Sequence, residues 1–291
     1  MDDALAIAYL LHSGNVRILG IGTTDGNTTA TQAAVNTLGL LKLSGISGIP
    51  VAVGGGSHRR DAAVVHGDNG VGGVALPAGA APDERTAAGL LIDLARDNPG
   101  ELHVLATGPC TNLAAALRAE PRLTELVASV TVMGGAVRGP GNVTPRAEAN
   151  IHNDPQSAAA VLAAGWPVTL VPLDVTMRHR WTEADRAALR AGGTALHESL
   201  ADMLTVYFDF YEPLLGVREI PLHDPLAAAI ALGDVTPADA PRLPLRVDLE
   251  GAVREDPSAA SLVRVVLALG APAAPVILGR ILHGISGRPL P

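Results

Sequence analysis

The chain alternates short apolar runs with longer stretches whose apolar positions recur every three to four residues, the pattern of strands followed by helices. Residues 16–23 (VRILGIGT) read as a strand, and 29–43 as a helix capped by Asn27 or Thr28. A short strand at 51–53 runs into Gly54, Gly55 and Gly56. Residues 84–96 read as a helix, 102–106 as a strand, 111–118 as a helix and 130–133 as a buried strand. Pro155 suits the first turn of a helix over 155–164, and 168–171 is again a strand. From 182 to 211 the pattern is helical, broken at Gly192 and Gly193, and a further helix at 225–232 opens directly after His223 and Asp224. Strands at 245–249 and 262–267 and a helix near 273–282 complete the series.

This alternation predicts an α/β fold, a single domain over 1–291 with a mostly parallel open sheet flanked by helices. No fixed-period repeat and no polar linker divides it. In such sheets ligands bind beyond the carboxyl ends of the strands. Polar residues just after apolar runs are therefore the ones to question: Asp25 and Asn27, Thr107 and Thr111, then Asn142, Glu148 and Asn150, and Asp174. His223 and Asp224 join them at a helix start.

Composition narrows the function classes. Hydrophobic residues at 48% against 17% charged exclude a disordered chain, and with only 2% aromatics the packing falls to Ala, Val, Leu and Ile. A net charge of −8 argues against a broad nucleic-acid footprint. The lone Cys110 cannot form an internal disulfide, which fits a reducing cytoplasm. Residues 262–279 carry Arg264, Pro272 and Pro275 and read as strand, turn and helix rather than as a membrane span. With Asp2 and Asp3 directly after Met1 there is no charged-then-apolar leader, so a soluble, cytoplasmic protein is expected.

Asp2 and Asp3 at a helix start are favourable through the helix dipole alone, and they equally suit a hard cation such as Ca²⁺. The pair by itself does not decide. Further along stand GN at 26–27, VHGDNG at 65–70, ATGPCTNLA at 106–114, VMGG at 132–135, GNVTPRAEANI at 141–151 followed by DP, and HDP at 223–225. In this order and spacing the chain resembles the inosine–uridine-preferring nucleoside hydrolase family, from Asp2 to the tail.

The resemblance implies Ca²⁺-dependent hydrolysis of the N-glycosidic bond of a ribonucleoside to free base and ribose, on a Rossmann-like core assembled as a homodimer or homotetramer. It implies metal ligands in Asp3, the Thr111 carbonyl and Asp224, with Asp2 contacting ribose. Asn27, Asn142, Glu148 and Asn150 would hold the sugar, His66 would lie near the nucleobase, and His223 would give a proton to the departing base. Blander roles stay open: caps for Asn27 and Thr111, a turn for Asn142, loop polarity for Glu148 and Asn150, a solvent-facing His66.

The residue types suit the chemistry. Cleavage of a ribosyl bond passes through an oxocarbenium-like state, which carboxylates and amides around the sugar favour. A general acid then helps the base leave. A cation gripping both vicinal hydroxyls makes deoxyribonucleosides poor substrates.

Two departures qualify the resemblance. In the family a strand and a D-x-D-x-G turn precede the acid pair, whereas only Met1 precedes it here. That turn supplies a further metal carboxylate and the general base. The expectation is either a natural start upstream of Met1 or a truncated, weakly active or inactive sugar- or metal-binding descendant. Ala149 stands where the family places an aromatic, and Cys110 fills the variable position of G-P-x-T-N. A dinucleotide-binding oxidoreductase ranks last, because no G-x-G-x-x-G follows a first strand.

Overall fold

The computed structural model describes residues 1–56 and 63–284. The chain opens with α1 (Asp2–Leu11), β1 (Ile21–Thr23), α2 (Ala30–Leu43), β2 (Val51–Val53), α3 (Ala63–His66) and α4 (Ala87–Asp97). Next come β3 (Leu102–Ala106), α5 (Thr111–Ala119), α6 (Leu123–Leu126), β4 (Val127–Met133), α7 (Ala149–Asn153), α8 (Pro155–Ala163) and β5 (Val168–Val171). They lead to α9 (Leu173–Thr176), β6 (Arg180–Thr182), α10 (Glu183–Ala191), α11 (Ala195–Leu215), β7 (Glu219–Pro221) and α12 (His223–Ala231). β8 (Pro237–Asp239), β9 (Arg242–Val247), β10 (Val253–Glu255), β11 (Leu262–Val265), β12 (Ala268–Leu269) and α13 (Ala274–His283) finish the order.

The main sheet runs β10-β9-β11-β5-β4-β3. β3, β4, β5 and β11 pair in parallel, and β9 and β10 add an antiparallel edge. β1 and β2 form a separate parallel pair. The α/β expectation, a mostly parallel sheet flanked by helices, holds. β4 sits between two parallel neighbours with Val130, Val132 and Met133 buried, the continuous apolar character of a strand covered on both faces.

One expected strand is cut short. Residues 16–23 have strand-like sequence, yet only Ile21–Thr23 is paired, and only on its β2 side. β3 likewise pairs with β4 alone. The free edges of β1 and β3 line the same cavity of about 730 Å³, and without a partner across it residues 16–20 have no ladder to join. Other differences are smaller. Thr29, rather than Asn27 or Thr28, caps α2 by accepting from the Gln32 amide. The break at Gly192 and Gly193 is real, with Thr194 capping α11. The last of the α/β helices before the tail begins at His223 itself, two residues earlier than expected, so His223 and Asp224 lie in its first turn.

Alanine lets two helices approach closely. α1 buries Ala4 and Ala8, α12 buries Ala227, Ala228 and Ala229, and the two pack against each other beside Tyr9, Phe208 and Trp181. A second apolar cluster fills the space between β3–β5, β9 and β11 and the helices α5 and α8. No helix among the described residues is long and apolar enough to cross a membrane.

Candidate active site

Packing α1 along α12 brings two helix N-termini together. Asp2 and Asp3 open one, His223 and Asp224 the other, and a helix N-terminus favours negative charge. Carboxylate oxygens of Asp2, Asp3 and Asp224 lie within 4.8 Å of one another. Asp3 accepts hydrogen bonds from the Thr107 hydroxyl (2.9 Å) and from Asn27 Nδ2 (3.3 Å), so the segments after β3 and β1 are both tied to it. Asp2 accepts one from the Tyr207 hydroxyl at 3.1 Å, while its Oδ1 is buried with no hydrogen-bond partner. The Met1 ammonium lies 3.6 Å from that oxygen.

Three carboxylates this close cannot all keep ordinary acidity. Burial pushes the Asp224 carboxyl well above the usual carboxylate range, and the charges of Asp2 and Asp3 push it further. Asp3 is raised for the same two reasons, though the ammonium opposes them. Asp2 goes the other way: burial works to raise it, but the Met1 ammonium, His66 and His223 outweigh burial and hold it low. A cation among the three would relieve the repulsion.

Beside the acids lies a polar wall built by the segment after β4. Glu148 caps α7 and is buried, its carboxylate accepting from the amides of Asn150 (2.8 Å), Gly135 (2.9 Å) and Ile151 (3.1 Å). Burial raises its pKa against those three donors. Asn150 Nδ2 donates to the carbonyls of Thr107 (2.9 Å) and Met133 (3.2 Å), which locks the ends of β3 and β4 together. Asn142 is exposed, and its Oδ1 accepts from the Ala149 amide at 3.0 Å, pinning the 141–147 turn to the start of α7.

The opposite wall is aromatic. His223 Nδ1 is 2.7 Å from the Thr176 hydroxyl and Nε2 is 3.1 Å from the Tyr211 hydroxyl. The Tyr211 ring meets Tyr207 edge-on at 4.9 Å, and His66 lies 5.5 Å from Tyr207 with its Nδ1 3.1 Å from the Met1 nitrogen. Burial holds both histidines below their usual pKa, His66 down to about 3 with the ammonium adding to the effect. A neutral imidazole keeps one N–H donor and one acceptor nitrogen, so it can relay a proton between two partners.

The fold thus gathers Asp2, Asp3, Asn27, His66, Glu148, Asn150, His223 and Asp224 around one region, with Asn142 at its exposed rim. His66 is buried, not solvent-facing. Thr111 is the first residue of α5 and its hydroxyl donates to Asp154 at 2.6 Å; the threonine whose hydroxyl reaches Asp3 is Thr107. Cys110, at the same helix start, is buried, and burial together with Asp154 and Glu148 pushes its thiol up to about 12. Sequence reasoning missed Thr176, Tyr207 and Tyr211. The available signal was two of the chain's three tyrosines spaced four apart on one helix face.

Comparison with known proteins decides the family. The inosine-uridine preferring nucleoside hydrolase family matches residues 1–273. The chain belongs to that family. A pyrimidine-specific ribonucleoside hydrolase, RihA, of Citrobacter koseri is 37% identical over 78% of this chain and 75% of its own length. "Probable uridine nucleosidase 2" of Oryza sativa subsp. japonica is 35% identical over 78% of this chain and 69% of its own. The purine-preferring ribonucleoside hydrolase from Gardnerella vaginalis superposes with a TM-score of 0.89 at 31% identity, covering 97% of this chain and 95% of that one. This nucleoside hydrolase accordingly splits ribonucleosides into base and ribose, in a metal-dependent family with a small-molecule substrate.

Proposed function

We propose that the acidic cluster of this nucleoside hydrolase holds Ca²⁺ between Asp3 and Asp224, with Asp2 directed at the ribose and His223 at the nucleobase. The observation that supports it is the cluster itself: oxygens of Asp2, Asp3 and Asp224 within 4.8 Å of one another, with Asp2 Oδ1 buried and making no hydrogen bond among the described residues, its charge met only by the Met1 ammonium at 3.6 Å. The donor set is all oxygen, the preference of a hard ion taking 6–8 oxygen ligands. Bound there, the ion supplies Lewis acidity toward sugar oxygens. The threonine supporting this position is Thr107, whose hydroxyl already touches Asp3.

The chain's own residues supply the rest. Asp2 Oδ1 accepts a hydrogen bond from a ribose hydroxyl. Glu148 and Asn150, fixed by their bonds to the backbone, form a rigid polar wall whose charge and dipoles favour a sugar ring turning positive. As the C–N bond breaks, one water adds its oxygen to the ribose carbon and a proton ends on the departing base, relayed through His223, which is held between Thr176 and Tyr211, while buried Tyr207 and Tyr211 keep other water from that side. A panel of purine and pyrimidine ribonucleosides and their 2′-deoxy counterparts, assayed with and without chelator, tests the reading. Ribonucleosides should be cleaved, deoxyribonucleosides poorly, and chelation should stop turnover that Ca²⁺ restores; chelator-resistant turnover refutes it.

A further inference from the structure

Among the described residues, every hydrogen bond of the buried Asp174 carboxylate runs to backbone. Asp174 follows β5, in the single turn of α9. Its Oδ1 accepts from the amides of Arg138 (2.7 Å) and Gly139 (2.9 Å), and its Oδ2 from that of Val137 (2.9 Å). Three consecutive N–H groups turned onto one carboxylate hold it as a backbone nest holds an anion, and bonds to a charged acceptor are the strong ones. The gripped residues begin the segment that leaves β4 and returns at α7. Just before them, the Leu173 amide donates to the Gly135 carbonyl at 2.9 Å and Glu148 accepts from the Gly135 amide. Just after them, the amides of Asn142 (3.1 Å) and Val143 (3.2 Å) converge on the Ala147 carbonyl, and Asn142 Oδ1 accepts from the Ala149 amide. The loop from Gly135 to Ala149 is thus gripped by Asp174 where it starts and by Asn142 and Glu148 where it closes.

We propose that Asp174 is a positioning residue for ribose cleavage: by fixing residues 137–139 it sets the placement of Asn142 and Glu148, and through them the polar wall beside the acids. This rests on the reading of that wall as the ribose-facing one. Swapping one acceptor shows why a carboxylate is required. An amide in its place has one oxygen and one NH₂. With the oxygen toward Arg138 and Gly139, the NH₂ meets the Val137 N–H donor to donor; turned over, it meets the other two. Either way an amide loses its acceptor and the start of the loop comes free. A looser wall costs most as the ring turns positive, because dipoles stabilise a developing charge without reorganisation only when already in place. A misplacement of about 1 Å caused from a distance can cost ~10²-fold in rate. The same helical turn sets Thr176 against His223, so the polar and aromatic walls meet at α9. The leaving group of the substrate tells which wall a substitution has disturbed.

The test compares Asp174→Asn, Asp174→Ala, Asn142→Ala and the Asp174→Asn/Asn142→Ala double variant on uridine, inosine and p-nitrophenyl riboside with Ca²⁺ present. Asp174→Asn keeps the side-chain shape and carries the test should the alanine variant not fold. Its kcat/KM should fall at least tenfold, by the same factor on all three substrates, because the sugar is common to them. A loss confined to the nucleosides, whose base needs a proton to leave, would put the effect at His223 and overturn the proposal. The double variant should lie no more than threefold below Asp174→Asn, since both substitutions act through one loop; losses that multiply overturn it. Hydrogen exchange should quicken at least tenfold at Val137, Arg138 and Gly139, while the Kd for Ca²⁺ stays within threefold, Asp174 lying outside the three-carboxylate cluster. Full activity in Asp174→Asn with a lowered Tm marks a merely structural carboxylate and ends this inference alone. An unaltered protein that cleaves none of the three substrates ends the hydrolase reading and this inference with it.

Discussion

Replacing Asp224 by Asn should make the metal-free protein more stable and at the same time disable it. The geometry sets the scale. At the 4.8 Å limit that bounds the three carboxylates, a charged pair costs about 3.5 kcal/mol at an effective dielectric constant of roughly 20. Asp224 faces two such partners, and its raised pKa shows that protonation already lifts much of the repulsion. A net gain of about 1–2 kcal/mol remains for the neutral amide, or about 2–4 °C in Tm for a chain of this length. Ca²⁺ at one hundred times its Kd should stabilise the unaltered protein by about 2.7 kcal/mol and Asp224→Asn far less. Differential scanning fluorimetry with chelator and with Ca²⁺, beside an assay of base release, measures all three quantities. A lower metal-free Tm in Asp224→Asn, or a full Ca²⁺-induced shift with activity intact, refutes the reasoning.

Further outcomes follow from the aromatic wall and the backbone. His223→Ala should slow nucleoside cleavage by ~10²–10⁴-fold yet spare p-nitrophenyl riboside, whose leaving group needs no proton; equal losses on both substrates would remove His223 from the acid role. His66 and His223 have pKa values below the unfolded value of 6.5, so the unfolded chain binds protons that the folded one does not. Stability should therefore be full above pH 6.5 and fall as pH drops below it, and His66→Gln should flatten that slope in urea titrations across pH 4–7. Gly251 has φ +84° and a Cβ there would lie 2.6 Å from His152 Cα. Gly251→Ala should cost about 2–4 kcal/mol, read from the urea midpoint.

What sequence conveys here depends on the range of the determining interactions. β5 is legible to the residue and α8 to within one, because each follows from local periodicity and a proline at a helix start. Residues 16–20 mislead for the opposite reason: strand character is necessary for a ladder, but a neighbour on the free edge is needed too, and that is a property of distant chain. The five-residue α7 has no period to display and exists because Glu148 caps it. In the site, Asp3 and Asp224 are more than 200 residues apart, and motif order pointed to both before geometry brought them together. Thr107 and Thr111 lie on either side of the same Gly-Pro-Cys turn, so the fold decides which hydroxyl meets Asp3. Thr176 and Tyr211 gain their meaning solely by touching His223.

Cys110 has a practical consequence. A buried thiol that stays protonated to about pH 12 offers no thiolate to maleimides or iodoacetamide in ordinary buffers. Any cysteine introduced at an exposed position would then be the sole reactive sulfhydryl on the described surface. Spin labels or dyes could be attached one at a time without first removing the native residue.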